Sequence, residues 1–234
     1  MVITIDGPAA AGKSTVARAL AQRVGFEYVD TGALYRAATW KAIQEGIDLK
    51  DPAALAQVVR AARIEFVQRG EERRVICDGQ DVTAEIRSPE VTERVRYVAD
   101  ELAARRALIE LQRRFGRGRN LVTEGRDQGT EVWPDAELKV YLDASPEVRA
   151  ARRLKDLREL GAPLTLEEVR ADIDRRDRLD RSRPVGRLQC TEDMLVVDST
   201  HLSVDQVVAR LEAEADRRRS TKVQGTPARP EGRP

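Results

Sequence analysis

Hydrophobic and polar positions change rhythm several times along the chain. "VITIDG" is an apolar run that a glycine ends, which reads as a buried first strand. Over Lys13–Val24 the apolar positions Val16, Ala19, Leu20 and Val24 return at helical spacing. "FEYVD" is a short second strand and "ALYRAATWKAIQEG" a helix ending at Gly46. Residues 52–62 form a further helix, with Asp51 as N-cap before Pro52. "RIEFVQRGEERRVICDGQDVTAEI" then alternates with period two around "RGEE" and a "DG" turn. That pattern predicts a meander of short antiparallel strands over about residues 64–93. One long helix over residues 91–115 follows, closed by "RGRN".

Strands and helices alternate from there on. "NLVTEG", "LKVYLDA" and "MLVVDS" read as strands; "SPEVRAARRLKDLREL", "TLEEVRADIDRRDRLDR" and "SVDQVVARLEAEADRRR" read as helices. Ser145 and Thr165 are placed as N-caps of the first two helices. Five apolar strands separated by helices predict an α/β fold: a parallel sheet of five strands covered on both faces, with a small antiparallel β insert. No internal repeat interrupts this plan. A single domain is expected over residues 1–219, with 220–234, "STKVQGTPARPEGRP", as a disordered tail without apolar periodicity.

The junction of first strand and first helix carries the clearest chemistry. Residues 7–14, "GPAAAGKS", fit G-x-x-x-x-G-K-[ST], the phosphate-binding loop, with a strand before and a helix after it as the motif requires. In such a loop successive backbone N–H groups turn inward as an anion nest, and the helix N-terminus adds partial positive charge. Gly7, Pro8, Ala9, Ala10, Ala11, Gly12, Lys13, Ser14 and Thr15 are therefore the candidate ATP-binding residues. Lys13 would reach the β- and γ-phosphates and the Ser14 hydroxyl would ligate Mg²⁺. The guanine- and switch-type motifs D-x-x-G and [NT]-K-x-D are missing, and "LKVYLDAS" matches a Walker B strand only loosely at Asp143.

Composition narrows the class of partner. Of 234 residues 41% are apolar and 35% charged, and the longest apolar runs are of strand length, so no membrane span is predicted. Met1 leads straight into the first strand without a basic segment or long apolar run, from which a cytoplasmic chain is expected. Cys77 and Cys190 lack CxxC spacing and His201 is the only histidine, which argues against a disulfide framework and a structural zinc site. A net charge of +1 argues against wholesale nucleic-acid binding. Arginine nevertheless far outnumbers lysine and clusters with carboxylates in "DTGALYR", "TEGRDQGTEVWPD" and "DRRDRLDRSR". Guanidinium forks suit bidentate recognition of phosphate and carboxylate, although any one such cluster reads equally as a solvated ion-paired surface.

In family order, "ITIDGPAAAGKST", "DTGALYR", "VICDGQDVTAEIRSPEV", "EGRDQGTEVWPDAELKVYLDAS", "RAARR", "RRDRLDRSR" and "LVVDST" resemble the bacterial cytidylate kinases, from Val2 to about Leu211. Adenylate kinase relatives share the first loop and the "DTG…R" element but lack the three-stranded insert. The resemblance implies phosphorylation of CMP and dCMP by ATP, a P-loop kinase core, an acceptor-binding insert over about 36–115 and a lid over about 149–183. It implies that Arg36 and Arg126 grip the CMP phosphate and that Arg152 and Arg153 act from the lid, so that Lys13, Arg126, Arg152 and Arg153 form the catalytic set. Asp30 and Glu124 would hold waters around Mg²⁺; the family usually has aspartate at the latter position. Thr31 is placed with the CMP site, Asp127, Arg105 and Arg183 beside the cytosine, and Arg176 and Asp180 beside the ribose. Arg96 stands where the family uses a serine. The expected partners are small nucleotides only, with neither nucleic acid nor membrane, and the expected state is a monomer. The alternatives are a UMP or AMP kinase of the same fold and, from another class, a non-catalytic nucleotide- or nucleic-acid-binding protein.

Overall fold

A computed structural model describes residues 1–69, 72–159, 161 and 163–224. From the N-terminus, β1 (Val2–Asp6) leads through the glycine loop into α1 (Lys13–Val24), followed by β2 (Glu27–Asp30), α2 (Thr31–Gln44) and α3 (Pro52–Ala61). The insert is β3 (Ile64–Arg69), β4 (Glu72–Cys77) and the two-residue β5 (Gln80–Asp81), after which come α4 (Pro89–Asp100) and α5 (Leu102–Gly116). The rest is β6 (Leu121–Gly125), β7 (Leu138–Asp143), α6 (Pro146–Glu159), α7 (Leu166–Ser182), β8 (Leu195–Asp198) and α8 (Val204–Gln224).

The main sheet has the order β2-β6-β1-β7-β8 with every pairing parallel. β1 is central and buried on both faces: Ile3 and Ile5 are fully enclosed on one, and Thr4 and Asp6 on the other. One core packs Val16 and Leu20 of α1 and Val208 and Leu211 of α8 against Ile3, Ile5 and Val140. A second gathers Leu34, Leu55, Val59, Ile64, Val75 and Leu108 from α2, α3, the insert and α5. Each fully buried leucine or isoleucine contributes about 1.5–3 kcal/mol relative to exposure. The sheet order reverses direction on either side of β1, so the crevice beyond its C-terminal end is where this architecture binds ligands.

The predicted strands, the parallel sheet and the insert are all present. The caps hold too: the Asp51 carboxylate accepts from the Ala53 and Ala54 N–H groups, and Thr165 with Glu168 closes a capping box on α7. Asp78 and Gly79 both have positive φ, 50° and 86°, as a tight β4–β5 turn requires.

Four boundaries differ from expectation. The strands of the insert end at Asp81, and residues 85–87 form a 3-10 turn instead. The single long helix is two, because Glu101 is extended (φ −82°, ψ 117°) and its carboxylate caps α5 by accepting from the Ala103 N–H at 2.8 Å. α2 begins at Thr31, where the Asp30 side chain accepts from the Ala33 N–H. α8 runs on to Gln224, into the stretch read as a tail; residues 225–234 lie outside the described residues. Cys77 is buried and Cys190 exposed, and both are free thiols. No helix among the described residues is long and apolar enough to cross a membrane.

Candidate functional site

The loop between β1 and α1 is shaped by close approach. A Cβ on Gly7 would stand 2.0 Å from the Leu142 carbonyl oxygen, so the chain can pass over β7 only as glycine. Ala10 (φ 61°) and Gly12 (φ 91°) are left-handed and turn the loop back, and Gly12 precedes α1 with no side chain capping the helix. The first amides of α1 are thereby left for an anion. Lys13 is buried and folds over the loop, its Nζ donating to the Pro8 carbonyl at 2.8 Å. Burial, with Arg126 alongside, pulls its pKa down to about 7.

Strand register brings the acidic groups to this loop. β2 pairs with β6 so that Asp30 lies beside Glu124, and β1 pairs with β6 so that Asp6 lies beside Gly125. Ser14 Oγ donates to Glu124 Oε1 at 2.8 Å, and Thr31 Oγ1 donates to the Glu124 carbonyl at 2.6 Å. Burial pushes the Glu124 carboxyl up, with Asp30 adding to the rise and Lys13 opposing it. Among the described residues no cluster of three or more His, Cys, Asp or Glu is arranged to hold a metal. The hydroxyl of Ser14 with the carboxylates of Glu124 and Asp30 is an all-oxygen set, which suits a Mg²⁺ ion that takes its other ligands from phosphates and water.

The predicted acceptor residues converge from α2, α5, β6, α6 and α7. Arg126 leaves the end of β6 and donates from Nε to Asp180 at 2.7 Å; Asp180 also meets Arg183 at 3.1 Å. Burial alone would raise the Asp180 carboxyl, but Arg126 and Arg183 outweigh it and hold it below the usual range. Arg36 donates to Thr92 Oγ1 at 2.7 Å. Its pKa is lowered by burial and then by Arg176, with Arg153 and Arg87 adding to it; that of Arg176 is lowered by burial and then by Arg126. Arg36, Arg126, Arg153 and Arg176 thus bear on one another as like charges, an arrangement that an anion between them would relieve. Arg152 lies against the phosphate loop, donating to the Ser199 carbonyl at 2.8 Å and reaching the Ala11 carbonyl at 3.4 Å.

Of the residues expected beside the base, Arg105 and Asp127 are buried and pair directly, and Arg105 also donates to the Ala99 carbonyl at 2.8 Å. Burial raises the Asp127 carboxyl against the pull of Arg105. Tyr35 lies beside the pair, 5.6 Å from ring centre to the Arg105 guanidinium. Arg183 bonds Asp100 at 2.7 Å. Arg96 is exposed and lies over its neighbour Tyr97. Thr15 is exposed beside Ser14.

Sequence reasoning assigns no role to four residues of this region. Asp6 is fully buried at the end of β1 and accepts from the Gln128 and Gly129 N–H groups at 2.9 and 2.7 Å, fixing the turn that follows Asp127. Burial lifts its carboxyl to about 7 in spite of those bonds. Gly186 (φ 65°) lies so close to Arg105 that a Cβ there would stand 1.6 Å from Nη2. Arg149 and Asp177 form a buried pair beneath the loop. A clue existed only for Gly186, since glycine is the default where φ is positive.

The chain is similar to known proteins over most of its length. The family model described as cytidylate kinase matches residues 3–217. A cytidylate kinase from Rhodopirellula baltica is 48% identical over 207 residues, 88% of this chain and 89% of the relative. One from Desulfitobacterium hafniense is 46% identical over 209 residues, 89% and 90% of the two chains. Among solved structures, an uncharacterized protein from Eubacterium ventriosum superposes with a TM-score of 0.51 at 10% identity, covering 92% of this chain and 98% of that one, a likeness of fold alone.

Proposed function

The chain belongs to the cytidylate kinase family, and on that premise we propose that it transfers the γ-phosphoryl group of ATP directly to the phosphate of CMP, and of dCMP. The observation that carries the reading is one juxtaposition. The phosphate loop, whose Lys13 feels Arg126, lies beside guanidiniums of α2 and α7, Arg36 and Arg176, that burial and neighbouring arginines leave short of negative charge.

Transfer between two anions is mainly positioning and neutralisation of charge. ATP lies on the backbone amides of residues 7–15, and Lys13 moves from the Pro8 carbonyl to the β- and γ-phosphates. Arg36 and Arg126 grip the CMP phosphate, and Arg176 and Asp180 bind its ribose. Arg152 and Arg153 steady the transferred group from the lid, assigned to residues 149–183, which closes on the insert at 36–115 and keeps water out. Ser14 would hold Mg²⁺, with Asp30 and Glu124 acting through its waters; the ion screens phosphate charge. Thr31, whose hydroxyl hydrogen is committed to the Glu124 carbonyl, lines the CMP side.

Base choice follows from Asp127. Cytosine offers an N4 amino donor beside its N3 and O2 acceptors, which a carboxylate with Arg105 and Arg183 complements. Uracil would set an acceptor against the buried carboxylate, a mismatch such sites penalise heavily. The protein works as a cytoplasmic monomer that needs no nucleic acid or membrane. A coupled assay of ADP release with CMP, dCMP, UMP, AMP and GMP tests the assignment. Turnover confined to CMP and dCMP is expected, and preference for another acceptor would overturn it.

A further inference from the structure

Two charged side chains that this mechanism leaves unused stand nearly free of solvent beneath the phosphate loop. Arg149, from α6, and Asp177, from α7, are 5% and 4% exposed, and their ion pair measures 2.5 Å. Between them they take both backbone polar groups of Ala9. Asp177 Oδ1 accepts from the Ala9 N–H at 2.9 Å, and Arg149 Nη1 donates to the Ala9 carbonyl at 3.0 Å. Arg149 Nε donates to the Ala144 carbonyl, just beyond β7, at 3.1 Å. The third residue of the loop is thereby held to two helices at once. A small core of Ala9, Ala150, Leu154, Val169 and Ile173 packs beside it.

Stability alone does not account for such a pair. Replacing a buried ion pair by apolar groups of like volume is often neutral or stabilising, so apolar residues would hold α6 against α7 as well. They would not, however, fix the backbone of Ala9 at one distance and angle. Asp177 is also the neighbour of Arg176 and stands one turn before Asp180, which bonds Arg126. The segment of α7 that places the acceptor groups is therefore the segment bonded to the donor loop. The charge of Asp177 is felt at Arg126 itself. In-line transfer is sensitive to this register, since a displacement of about 1 Å can cost about 100-fold in rate.

We infer that Arg149 and Asp177 are positioning residues whose ion pair, closed through Ala9, sets the register between the phosphate loop and the acceptor arginines, so that each site senses occupancy of the other. The inference rests on the phosphoryl-transfer reading above.

Two variants of the full chain test it: Asp177→Asn, and the double replacement Arg149→Met with Asp177→Leu. Asp177→Asn keeps an acceptor for the Ala9 N–H but removes the charge that holds Arg149. The double variant removes both charges and both bonds to Ala9. Thermal unfolding, kcat at saturation, the separate affinities for CMP and a non-hydrolysable ATP analogue, and the factor by which one ligand tightens the other are measured for each. In the double variant kcat should fall about ten-fold or more and the tightening factor should drop toward one. Separate affinities should stay within about three-fold and the melting temperature near that of the wild type. A purely structural pair would not produce that split. Full kcat in a stable double variant would overturn the inference, as would separate affinities that fall in step with kcat. Should Asp177→Asn fail to fold, the double variant decides. Wild-type protein that binds both nucleotides without transfer would sink the phosphoryl-transfer reading and leave the ligand-coupling measurement standing.

Discussion

The two halves of the proposed site are built from different materials. The donor half is one stretch of backbone, residues 7–15, whose amides are neutral dipoles fixed by two strands and a helix. The acceptor half is made of side-chain charges from five elements, held in place by counter-charges such as Asp180 and Asp127. A backbone nest gains little from any one side chain except the one that crosses it. A guanidinium cradle depends on every member, since removing one partner leaves another charge buried and alone. Substitutions should accordingly act all-or-none on the donor side and by selectivity on the acceptor side.

The sharpest way to break this contrast is at Lys13. Lys13→Ala removes the one charge that crosses the nest, and turnover should fall by at least about 10²–10³-fold in the coupled assay, as with loss of a single key donor at a transition state. Melting temperature should hold or rise, because the buried ammonium is costly in the empty loop. Wild-type turnover in that variant would mean that the loop is not the donor site.

Asp127→Ala should act by selectivity. Preference in kcat/KM for CMP over UMP should drop by about 100-fold, since uracil no longer faces an unpaired buried carboxylate. Stability should fall as well, because Arg105 is left buried without its partner, a loss of about 3–5 kcal/mol for such pairs. If CMP and UMP rates fell equally, Asp127 would serve only to hold Arg105. A smaller change of the same kind is expected at Gly186. Gly186→Ala would drive a Cβ into the Arg105 guanidinium and strain a left-handed backbone. KM for CMP should rise by about ten-fold, roughly 1.4 kcal/mol, with ATP-analogue affinity unchanged in titration.

The same contrast decides what could be read from the sequence. The proposed donor loop is contiguous, and its spacing alone singles out Lys13 and Ser14. The caps at Asp51 and Thr165 were equally legible, because each is satisfied within three residues. The helix break at Glu101 was not, since no proline or glycine marks it. It follows from packing: on one continuous helix Val98 and Ala104 would point about 120° apart, yet both are fully buried in the same core. The proposed acceptor residues are named through family resemblance, with no help from periodicity. Asp6 and Asp177 stand within the segments that carry the resemblance but receive no role from it, since their bonds to Gln128 and Ala9 span 122 and 168 positions. The sheet register that creates such contacts is a property of the assembled fold.

The smallest expected effect separates the two halves most finely, because only one of them should take up a proton. Burial, and then Arg126, hold the Lys13 ammonium near a pKa of about 7, so at pH 8 most empty loops carry a neutral lysine. Triphosphate oxygens beside Nζ favour the charged form and move the pKa back up. ATP binding at pH 8 should therefore draw in up to about one proton per site, and at pH 6, where the lysine is already charged, this contribution should vanish. Calorimetric titrations in two buffers of different ionisation enthalpy count that proton. Lys13→Arg, which stays charged throughout, should show no uptake at either pH. CMP meets arginines that keep their protons, so its binding at pH 8 should be close to proton-neutral. If ATP binding at pH 8 is proton-neutral too, the empty loop already holds a charged lysine, and the contrast between a titrating donor side and a permanently charged acceptor side is lost.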